Sequence, residues 1–478
     1  MEYLNIITHI VLIMSLGWYL ITNLQWYNYK LDRVIFKHHK WQWHITYFLS
    51  PIVLFYLIPD PYYPVYFFII YLASFVLWNK KLTHPLVMTA RVKRFLAVLL
   101  ITSFTVTALC LSNEECGDKF VFVPLIVAYL VSLILEKIFL ITFKKRAKQR
   151  FQSIGGLRTV AITASYGKTS IKNFLFHLLK YRYKVYKTPR SVNTMAGIIL
   201  DVNRDLPQDT QIYIAEAGAR TKGDIEEITM FLEPQICVIG SVGEQHMEYF
   251  KTLDNIIHTK MELLKSPRME IGFVHESVPI KQYPKITKFP SNLKIIKSNL
   301  DGIWFEVQIG GRTDEFFAPI LGSFNAINLT AVILVAYHLG MSILEIKAAL
   351  TTIPQVEHRL QKTEVNGKII IDDSYNGNLE GMLEAINICS THDGRRVIIT
   401  PGLVESSDQA NILLAKAINE NFDFVIITGS LNTQILSSNI DKNKVLILKD
   451  KTHFEKTLAQ TTRVGDLILF ANDAPSFI

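Results

Sequence analysis

The stretch Thr159-Val-Ala-Ile-Thr-Ala-Ser-Tyr-Gly-Lys-Thr-Ser170 decides the fold of this chain. An apolar run with β propensity breaks into Gly-Lys-Thr-Ser, and an amphipathic helical pattern follows directly. A strand, a tight turn and a helix in this order aim backbone N–H groups and the positive helix end at a polyphosphate. Lys168 would neutralise phosphate charge, and the hydroxyl of Thr169 can hold Mg²⁺. The sequence therefore predicts a phosphate-binding loop.

The spacing inside this loop separates two phosphate-binding patterns. The longer P-loop pattern has a glycine five residues before Gly167, and Ile162 stands at that position. A shorter pattern, in which a small residue and two further residues precede Gly-Lys-Thr, fits Ala164 and the residues after it. A simple turn seldom combines an apolar strand, Gly-Lys-Thr-Ser and a helix. We therefore expect nucleotide chemistry at a variant of the ordinary P-loop.

Positive charge is concentrated in the first third of the 478-residue chain. Residues 1–150 hold 16 lysines and arginines against 7 acids, whereas the remainder holds 34 against 35. The near-neutral remainder has no electrostatic footprint for nucleic acid, so we expect no nucleic-acid partner. A basic surplus beside apolar runs instead points to an anionic membrane face.

The first third also contains five apolar runs, most of which approach the ~20 residues needed to cross a bilayer. They lie at about 4–22, 44–58, 62–78, 95–112 and 120–143. Basic residues follow the first, third and fifth runs, whereas acidic residues follow the second and fourth. Because positive loops stay in the cytoplasm, this alternation puts the first residues outside and the later domains inside. The sequence predicts a multi-pass membrane domain over 1–145, with the lipid bilayer as its partner.

From Arg158 onward, short apolar β runs alternate with amphipathic helical patterns, which predicts parallel sheets flanked by helices. A break near Ile353-Pro354 suggests a central P-loop ATPase domain over 155–357 and a Rossmann-like domain over 358–478. The predicted fold class is thus a membrane α-helical domain followed by two α/β domains. The predicted strands are Thr159–Thr163, Gln211–Ala215, Ile236–Gly240, Lys368–Ile371, Val397–Thr400, Phe424–Thr428 and Leu467–Phe470.

Glu216 is a candidate metal ligand in the central domain, and His246 and Lys260 follow it along the chain. Glu216 ends an apolar strand, where a carboxylate beside a phosphate loop can reach the Mg²⁺ held by Thr169. A solvated strand end is the alternative for this glutamate. His246 follows the next strand, and Lys260 lies on a predicted helix. Taken singly, they also fit an ordinary surface or core histidine and a solvated lysine.

Amide side chains recur later in the chain. Asn325 and Asn328 lie three residues apart on one predicted helix face, where amides can read a base edge. A helix N-cap is the alternative for Asn325. The segment Asp372-Asp373-Ser-Tyr-Asn376-Gly-Asn378 ends another apolar strand, a position where α/β folds bind ligands. Turn formation is the competing explanation for its asparagines.

Together, these segments resemble the Mur ligase family of ATP-dependent amide-forming enzymes over about residues 160–478. The resemblance is specific because six short motifs occur in the order found in the family. They are Ala164-Ser-Tyr-Gly-Lys-Thr-Ser170, Val192-Asn193-Thr194, Glu216-Ala-Gly218-Ala, His246 with Lys260-Met-Glu262, Asn325 with Asn328, and Arg359 before Asp372-Asp373-Ser-Tyr-Asn376-Gly-Asn378.

The resemblance implies a role for each motif. Lys168 would bind the ATP phosphates, Arg359 would contact phosphate, Asn328 would read adenine and Asp373 would lie by the ribose. The rest of the nucleotide site would be Ser165, Gly167, Thr169 and Ser170. Two Mg²⁺ ions would be held by Thr169, Glu216, His246 and Lys260, with Lys260 carbamylated into a carboxylate-like ligand. The residues implied in catalysis are Lys168, His246, Lys260 and Arg359, and the candidate substrate contacts are Asn193, Thr194, Asn376 and Asn378.

The Asp-Asp-Ser-Tyr-Asn segment looks most like the family member that joins D-alanyl-D-alanine to UDP-N-acetylmuramoyl-tripeptide. The implied partners are therefore a muramyl peptide precursor and D-Ala-D-Ala, at the cytoplasmic side of a bacterial inner membrane. In the implied reaction, ATP phosphorylates the peptide carboxylate and the dipeptide amine then attacks the acyl phosphate. Mg²⁺ and Lys168 would offset the charge that develops in the transfer, and an enclosed cleft would exclude water.

One departure from the family leaves an alternative open. Family members carry a soluble UDP-sugar-binding domain before the ATPase domain, whereas about 15 polar residues separate the last apolar run from the first strand here. A ligase that joins a different amine to a different or lipid-linked acid is therefore the main alternative. A transporter fits less well, because Glu136 and Lys137 are the only clear ionisable residues in the runs. An inactive scaffold would have lost Lys168, Glu216 or Lys260.

Overall fold

The structure is a computed structural model of the chain. It describes residues 2–27, 29–36, 38, 40–59, 62–82, 85–111, 122–243, 247–280, 285–374, 378–404, 406–429, 431–448 and 454–471. The chain divides into two compact units, Met1–Lys145 and Arg146–Ile478. We call them the helical unit and the α/β unit.

The described part of the helical unit is entirely helical apart from short connections. Its α-helices are Glu2–Trp26, Leu31–Phe36, Gln42–His44, Ser50–Leu57, Tyr62–Tyr66, Leu72–Lys80, Ala90–Leu111 and the start of Val123–Ser153, and its π-helical turns are Ile45–Leu49 and Phe67–Tyr71. Four described stretches are long and apolar enough to cross a membrane: Leu4–Trp26, Tyr62–Lys80, Ala90–Leu109 and Val123–Ser153. The predicted run at 44–58 coincides with consecutive helical segments that end at Leu57 and are together shorter than each of these four.

The final turns of Val123–Ser153 belong to the α/β unit, where the sequence suggested a polar linker. Phe151 packs edge-on against the ring of Tyr213, with ring centroids 5.3 Å apart. The Lys148 ammonium lies 2.7 Å from a carboxylate oxygen of Glu233. The polar residues after the last apolar run therefore continue the helix, because their regularly spaced apolar members join the core of the first α/β domain.

The first sheet of the α/β unit is fully parallel and has the strand order β2-β3-β1-β4-β5-β6. Its strands are β1 Arg158–Thr163, β2 Val185–Lys187, β3 Ile212–Glu216, β4 Ile236–Ile239, β5 Ile271–His275 and β6 Ile286–Phe289. The surrounding helices are Lys168–Leu179, Met195–Arg204, Asp224–Leu232, Met247–Phe250, Leu253–Met261, the 3₁₀ turn Glu262–Lys265, Ser323–His338 and Ile343–Leu350. Two buried apolar layers cover the two faces of the sheet. Because β1 lies between β3 and β4, the carboxyl ends of these three strands form one crevice.

A second, antiparallel sheet follows in the same domain. Its strands are β7 Leu293–Asn299, β8 Gly302–Ile309 and β9 Arg312–Ala318, in that order across the sheet. Alternate residues of β8 are buried, including Ile303, Phe305 and Val307, and they join the core beside Ser323–His338. The sequence analysis did not predict this sheet, which covers one side of the long apolar helix.

The last domain contains a mixed sheet with the order β10-β11-β15-β12-β13-β14. Only the pair β10–β11 is antiparallel. The strands are β10 Gln361–Val365, β11 Lys368–Asp373, β12 Arg396–Thr400, β13 Phe424–Thr428, β14 Val445–Leu448 and β15 Leu467–Ala471. The helices are Leu379–Ser390, Asp408–Asn421, Thr433–Asn439 and Phe454–Thr461. All seven predicted strands are present, and none of their ends is shifted by more than two residues.

Apolar contacts join the two α/β domains. Leu321 from the first domain and Leu360 from the start of the second are both buried in the core of the second domain. Glu384 accepts a hydrogen bond from the backbone N–H of Ser323 at 2.8 Å, at the beginning of the helix Ser323–His338. The second domain therefore supplies the acceptor for a helix N-terminus of the first.

Candidate active site

The predicted phosphate loop lies between β1 and the helix Lys168–Leu179. Gly167 adopts a left-handed conformation with φ of 82°, which bends the chain into the helix and suits glycine. The helix itself is anchored by its buried face, on which Ile171, Phe174, Leu175 and Leu178 recur at helical spacing. The backbone N–H of Ser165 donates to the carbonyl of Ser241 at 2.8 Å. The loop is therefore tied to the segment that follows β4.

Lys168 bends back over the loop. Its ammonium donates to the carbonyl oxygens of Ala164 at 2.6 Å and Ser165 at 3.1 Å. Desolvation lowers the pKa of Lys168 to about 8, the carboxylate of Glu216 opposes that shift, and the positive charge of Arg359 adds to it. Lys168, Glu216 and Arg359 thus share one electrostatic environment, although Arg359 lies almost 200 residues further along the chain.

Thr169 and Glu216 meet across the crevice. The Thr169 hydroxyl donates to Oε2 of Glu216 at 3.3 Å, and Glu216 is fully buried at the end of β3. Two oxygens that share one Mg²⁺ as neighbouring octahedral ligands lie ~3 Å apart, since Mg–O bonds measure about 2.1 Å. The pair therefore fits the predicted magnesium site. Within the described ranges, no three histidine, cysteine or acidic side chains cluster as metal ligands.

The sequence analysis missed Lys172, which forms the most deeply buried ion pair of the site. Its ammonium lies 2.7 Å from Oε1 of Glu216, and the side chains are 1% and 0% exposed. The ammonium also donates a hydrogen bond to the carbonyl of Arg190. A signal was present, because Lys172 lies four residues after Lys168, among the apolar positions of the helix. A lysine on a buried helix face requires a buried acid.

Lys260 is buried on the helix Leu253–Met261. Desolvation and, to a smaller extent, the positive charge of Lys168 lower the pKa of its amine to about 7. Lys168 and Lys260 therefore lie within electrostatic range of each other. Glu262, two residues later, accepts the N–H groups of Gly223 and Glu226, so it caps the helix Asp224–Leu232. His246, the remaining predicted metal ligand, lies outside the described residues.

Asn328 packs directly on the phosphate loop. A Cβ atom at Gly167 would lie 2.5 Å from Oδ1 of Asn328, so only glycine fits beneath this amide. Asn328 also donates to Oδ1 of Asn325 at 3.4 Å, and Asn325 in turn donates to the carbonyl of Leu321. The two predicted asparagines do share a helix face and form one chain of hydrogen bonds beside the loop.

The acids at the end of β11 are already engaged. Asp373 is fully buried and accepts the backbone N–H of Leu360 at 3.1 Å. Asp372 accepts hydrogen bonds from Ser374 and lies 2.8 Å from Nδ1 of His358. His358 and Leu360 have φ values of 59° and 49°, so the residues on both sides of Arg359 are in the left-handed region. The two aspartates therefore hold the strained turn that presents Arg359.

Two of the predicted substrate residues cap helices. Thr194 caps Met195–Arg204 and accepts the N–H of Gly197 at 3.3 Å, and Asn378 caps Leu379–Ser390. The side chain of Asn193 lies against Gly218, where an added Cβ would approach it to 2.7 Å. Asn376 lies outside the described residues, and Ser170 is buried in the first turn after the loop.

Comparison with known proteins agrees with this arrangement. The profile of the Mur ligase middle domain matches residues 162–336. The UDP-N-acetylmuramoyl-tripeptide--D-alanyl-D-alanine ligase of Bacillus subtilis is 26% identical over 352 residues, which are 69% of this chain and 76% of that protein. The enzyme of the same name from Borreliella burgdorferi is 29% identical over 297 residues, 57% of this chain and 62% of that protein. The chain thus spans about three quarters of the first relative and under two thirds of the second.

Solved structures share the fold of the α/β unit. MurF from Acinetobacter baumannii superposes with a TM-score of 0.63 at 21% identity, covering 70% of this chain and 78% of that one. MurF ligase from Thermotoga maritima, solved in complex with ADP, superposes with a TM-score of 0.59 at 23% identity and covers 70% and 80%. Together, these matches show a Mur ligase middle domain over residues 162–336 and the fold of the solved MurF structures in the α/β unit.

Proposed function

We propose that the chain is an ATP-dependent amide ligase of peptidoglycan precursor synthesis that adds D-Ala-D-Ala to UDP-N-acetylmuramoyl-tripeptide. The observation that carries the proposal is the meeting of Lys168, Thr169, Glu216 and Lys260 at the carboxyl ends of β1 and β3. The names of the relatives add the identity of the acid and the amine. The matched regions are only part of each relative, so the substrates belong to the proposal.

The chain's own residues suit phosphoryl transfer. The phosphate loop offers backbone N–H groups and a helix N-terminus, and Lys168 can exchange two loop carbonyls for phosphate oxygens. Arg359 adds a second positive charge on the same side, which offsets charge on the transferred group. Thr169 and Glu216, together with Lys260 and His246, would hold Mg²⁺. When bound, Mg²⁺ supplies charge stabilisation to the phosphate oxygens.

The proposed reaction has two steps. A carboxylate oxygen of the peptide attacks the γ-phosphorus of ATP, and the bond from this phosphorus to the ADP oxygen breaks. The amine nitrogen of the dipeptide then attacks the acyl carbon, phosphate leaves, and the nitrogen loses a proton. An enclosed cleft at the carboxyl ends of β1, β3 and β4 would protect the acyl phosphate from water.

We further propose that Lys260 reacts with carbon dioxide to form a carbamate. A carbamate reverses the charge of the side chain and turns it into an oxygen ligand for Mg²⁺. Formation requires the neutral amine, and a pKa of about 7 leaves a large neutral fraction at neutral pH. Among the described residues, no acid forms an ion pair with the Lys260 ammonium, so a carbamate would not have to break one.

The helical unit supports a second proposal, insertion into a membrane as a multi-pass domain. Four described helices have the required length and composition, and the shorter run at 44–58 would supply the fifth crossing; basic residues follow the first, second and last of the four helices. This orientation puts the α/β unit in the cytoplasm of a bacterium, at the inner membrane. A protease-sensitive tag fused at residue 2 should be accessible from outside, whereas a tag after residue 478 should be protected; the reverse result would contradict the topology.

A lipid-linked acid is the alternative substrate. It is favoured by one observation, which is that the helix Val123–Ser153 leads within a few residues into β1, where a soluble UDP-sugar-binding domain would precede the ATPase domain. A lipid anchor would keep the acid beside the membrane without such a domain. The alternative therefore differs from the main proposal in the acid and not in the chemistry.

The experiment that tests the proposal uses the full chain in detergent micelles. ATP, D-Ala-D-Ala and either UDP-N-acetylmuramoyl-tripeptide or its undecaprenyl-linked counterpart are supplied, and phosphate release and the peptide product are measured. Turnover of the nucleotide-linked acid supports the main proposal, and turnover of the lipid-linked acid alone supports the alternative. Phosphate release that requires neither acid nor amine would contradict ligase function.

A further inference from the structure

The two carboxylate oxygens of Glu216 face different partners. Oε2 accepts the hydroxyl of Thr169 and faces the proposed magnesium site. Oε1 lies 2.7 Å from the ammonium of Lys172, on the other side of the carboxylate. This contact lies outside hydrogen-bonding geometry, so it is an ionic contact that occupies Oε1. Only one of the two oxygens is therefore available to a metal ion.

Lys172 is held in this position. The residue is fully buried on the helix Lys168–Leu179, and its ammonium donates a hydrogen bond to the carbonyl of Arg190. The distance of the ammonium from water makes the pair with Glu216 costly to separate, because either charge alone would be desolvated without compensation. Binding of a divalent ion at Oε2 leaves this arrangement in place.

The number of oxygens that a carboxylate offers affects which ion binds. Mg²⁺ requires near-ideal octahedral geometry at 2.0–2.1 Å and takes one oxygen from a carboxylate in such a site. Ca²⁺ accepts six to eight oxygen ligands and readily takes both oxygens of one carboxylate. A glutamate with one oxygen occupied by a fixed ammonium suits the first ion and disfavours the second.

We propose that Lys172 is a positioning residue that makes Glu216 a one-oxygen ligand and thereby selects Mg²⁺ over Ca²⁺. The inference rests on the proposed function, because it requires that Thr169 and Glu216 hold the divalent ion of the nucleotide. It goes beyond that function in assigning ion selectivity to a residue that contacts neither the ion nor the nucleotide. In this proposal, the number of oxygens that Glu216 offers to the ion sets the selectivity. Its effect can therefore be measured apart from the effect of the Lys172 charge.

The test measures binding of a fluorescent ADP analogue to the full chain in detergent, titrated with either Mg²⁺ or Ca²⁺. Loss of the lysine charge affects both doubly charged ions alike, so the ratio of their apparent affinities reports the ligand count. We expect Lys172→Met to raise the affinity for Ca²⁺ relative to Mg²⁺ about ten- to hundredfold, as changes behind a metal ligand commonly do. Lys172→Gln, which is shorter and neutral, should shift the ratio in the same direction.

Lys187→Met is the matched control. Lys187 senses the charges of Lys172 and Glu216, yet its ammonium donates to Oδ1 of Asn173. Removal of the Lys187 charge changes the local electrostatic field without freeing Oε1 of Glu216. The ratio of the Ca²⁺ and Mg²⁺ affinities should therefore stay within about twofold of the wild type, as expected for a site without altered ligands. A folded Lys172 variant with an unchanged ratio, or an equal shift in the control, would overturn the inference. A wild-type chain without metal-dependent nucleotide binding would overturn the proposed function itself.

A measurement on the wild type covers the case in which both Lys172 variants fail to fold. Infrared difference spectra between the metal-loaded and metal-free protein separate carboxylates that bind through one oxygen from those that bind through two. We expect Mg²⁺ to produce the wide band spacing of one-oxygen binding. The narrow spacing of two-oxygen binding with Mg²⁺ would overturn the inference.

Discussion

Two strands of the α/β unit end in buried acids, and the structure uses these acids differently. Glu216 at the end of β3 faces a threonine hydroxyl and an ammonium, and no backbone N–H group donates to its carboxylate among the described residues. Asp373 at the end of β11 accepts the backbone N–H of Leu360. In sequence, each acid follows an apolar strand and invites the same interpretation as a ligand site.

The difference teaches that the partners of an acid decide its function, and its place after a strand does not. An oxygen paired with a hydroxyl can exchange that partner for a metal ion at little cost. A buried oxygen that satisfies a backbone N–H cannot leave without exposing an unpaired donor, which costs about 1–3 kcal/mol. We therefore expect Glu216 to act on the ligand and Asp373 to act on the turn around Arg359.

Lys168→Ala, which alters the phosphate loop beside Glu216, should lower activity more than the other variants. Loss of a phosphate contact in a buried site should lower kcat/KM by about 10²–10³ or more. The melting temperature should change little, because among the described residues the ammonium donates hydrogen bonds to loop carbonyls alone. Phosphate release and thermal unfolding are the measurements, with the exposed Lys180→Ala of the same helix as control. Near-normal turnover would remove the phosphate loop from the mechanism.

Lys260→Ala tests whether Lys260 supplies a metal ligand beside Glu216. Loss of the proposed carbamate ligand should lower turnover by at least about a hundredfold, as removal of preorganised charge commonly does. Short-chain carboxylates should restore part of the activity, and wild-type protein in buffer stripped of carbon dioxide should lose it reversibly. The surface residue Lys265, which pairs with Glu226, supplies the control Lys265→Ala. Full activity without added carboxylate would leave Lys260 with a packing role only.

Asp373→Ala tests the other strand end. Without its acceptor, the N–H of Leu360 stays buried and unpaired, so the free energy of unfolding should fall by about 1–3 kcal/mol. Hydrogen exchange of residues 354–365 should become faster with and without nucleotide. The exposed Asp301→Ala is the control. An unchanged stability together with a raised KM for ATP would instead support the nucleotide contact that the family resemblance implies.

Thr194→Ala should have the smallest effect. The hydroxyl caps Met195–Arg204, so its loss should cost about 1 kcal/mol of stability, and Thr194→Ser should restore it. The KM for the acid substrate should stay within about threefold, since cap removal acts on the helix and leaves contacts elsewhere unchanged. A tenfold rise in KM at unchanged stability would instead identify Thr194 as a substrate contact.

Much of the fold followed from local patterns. The seven predicted strands and the phosphate loop are present because apolar runs of strand length and Gly-Lys-Thr leave few alternatives. The antiparallel sheet β7–β9 was not predicted, since it pairs with neighbours across turns and has an irregular register at Ile295 and Lys297. The continuation of Val123–Ser153 was also missed, because its polar residues hide an apolar face that only packing shows.

The sequence by itself determined the local chemistry of this protein. It specified the glycine, lysine and threonine of the loop, the acid after β3, and the long apolar runs, because each depends on residues near in sequence. Tertiary structure alone decided how the acids are used. The pairing of Glu216 with Lys172, the contact of Asn328 with Gly167, and the engagement of Asp373 by Leu360 join distant segments. Such contacts depend on which buried groups meet, and desolvation makes their pairing obligatory.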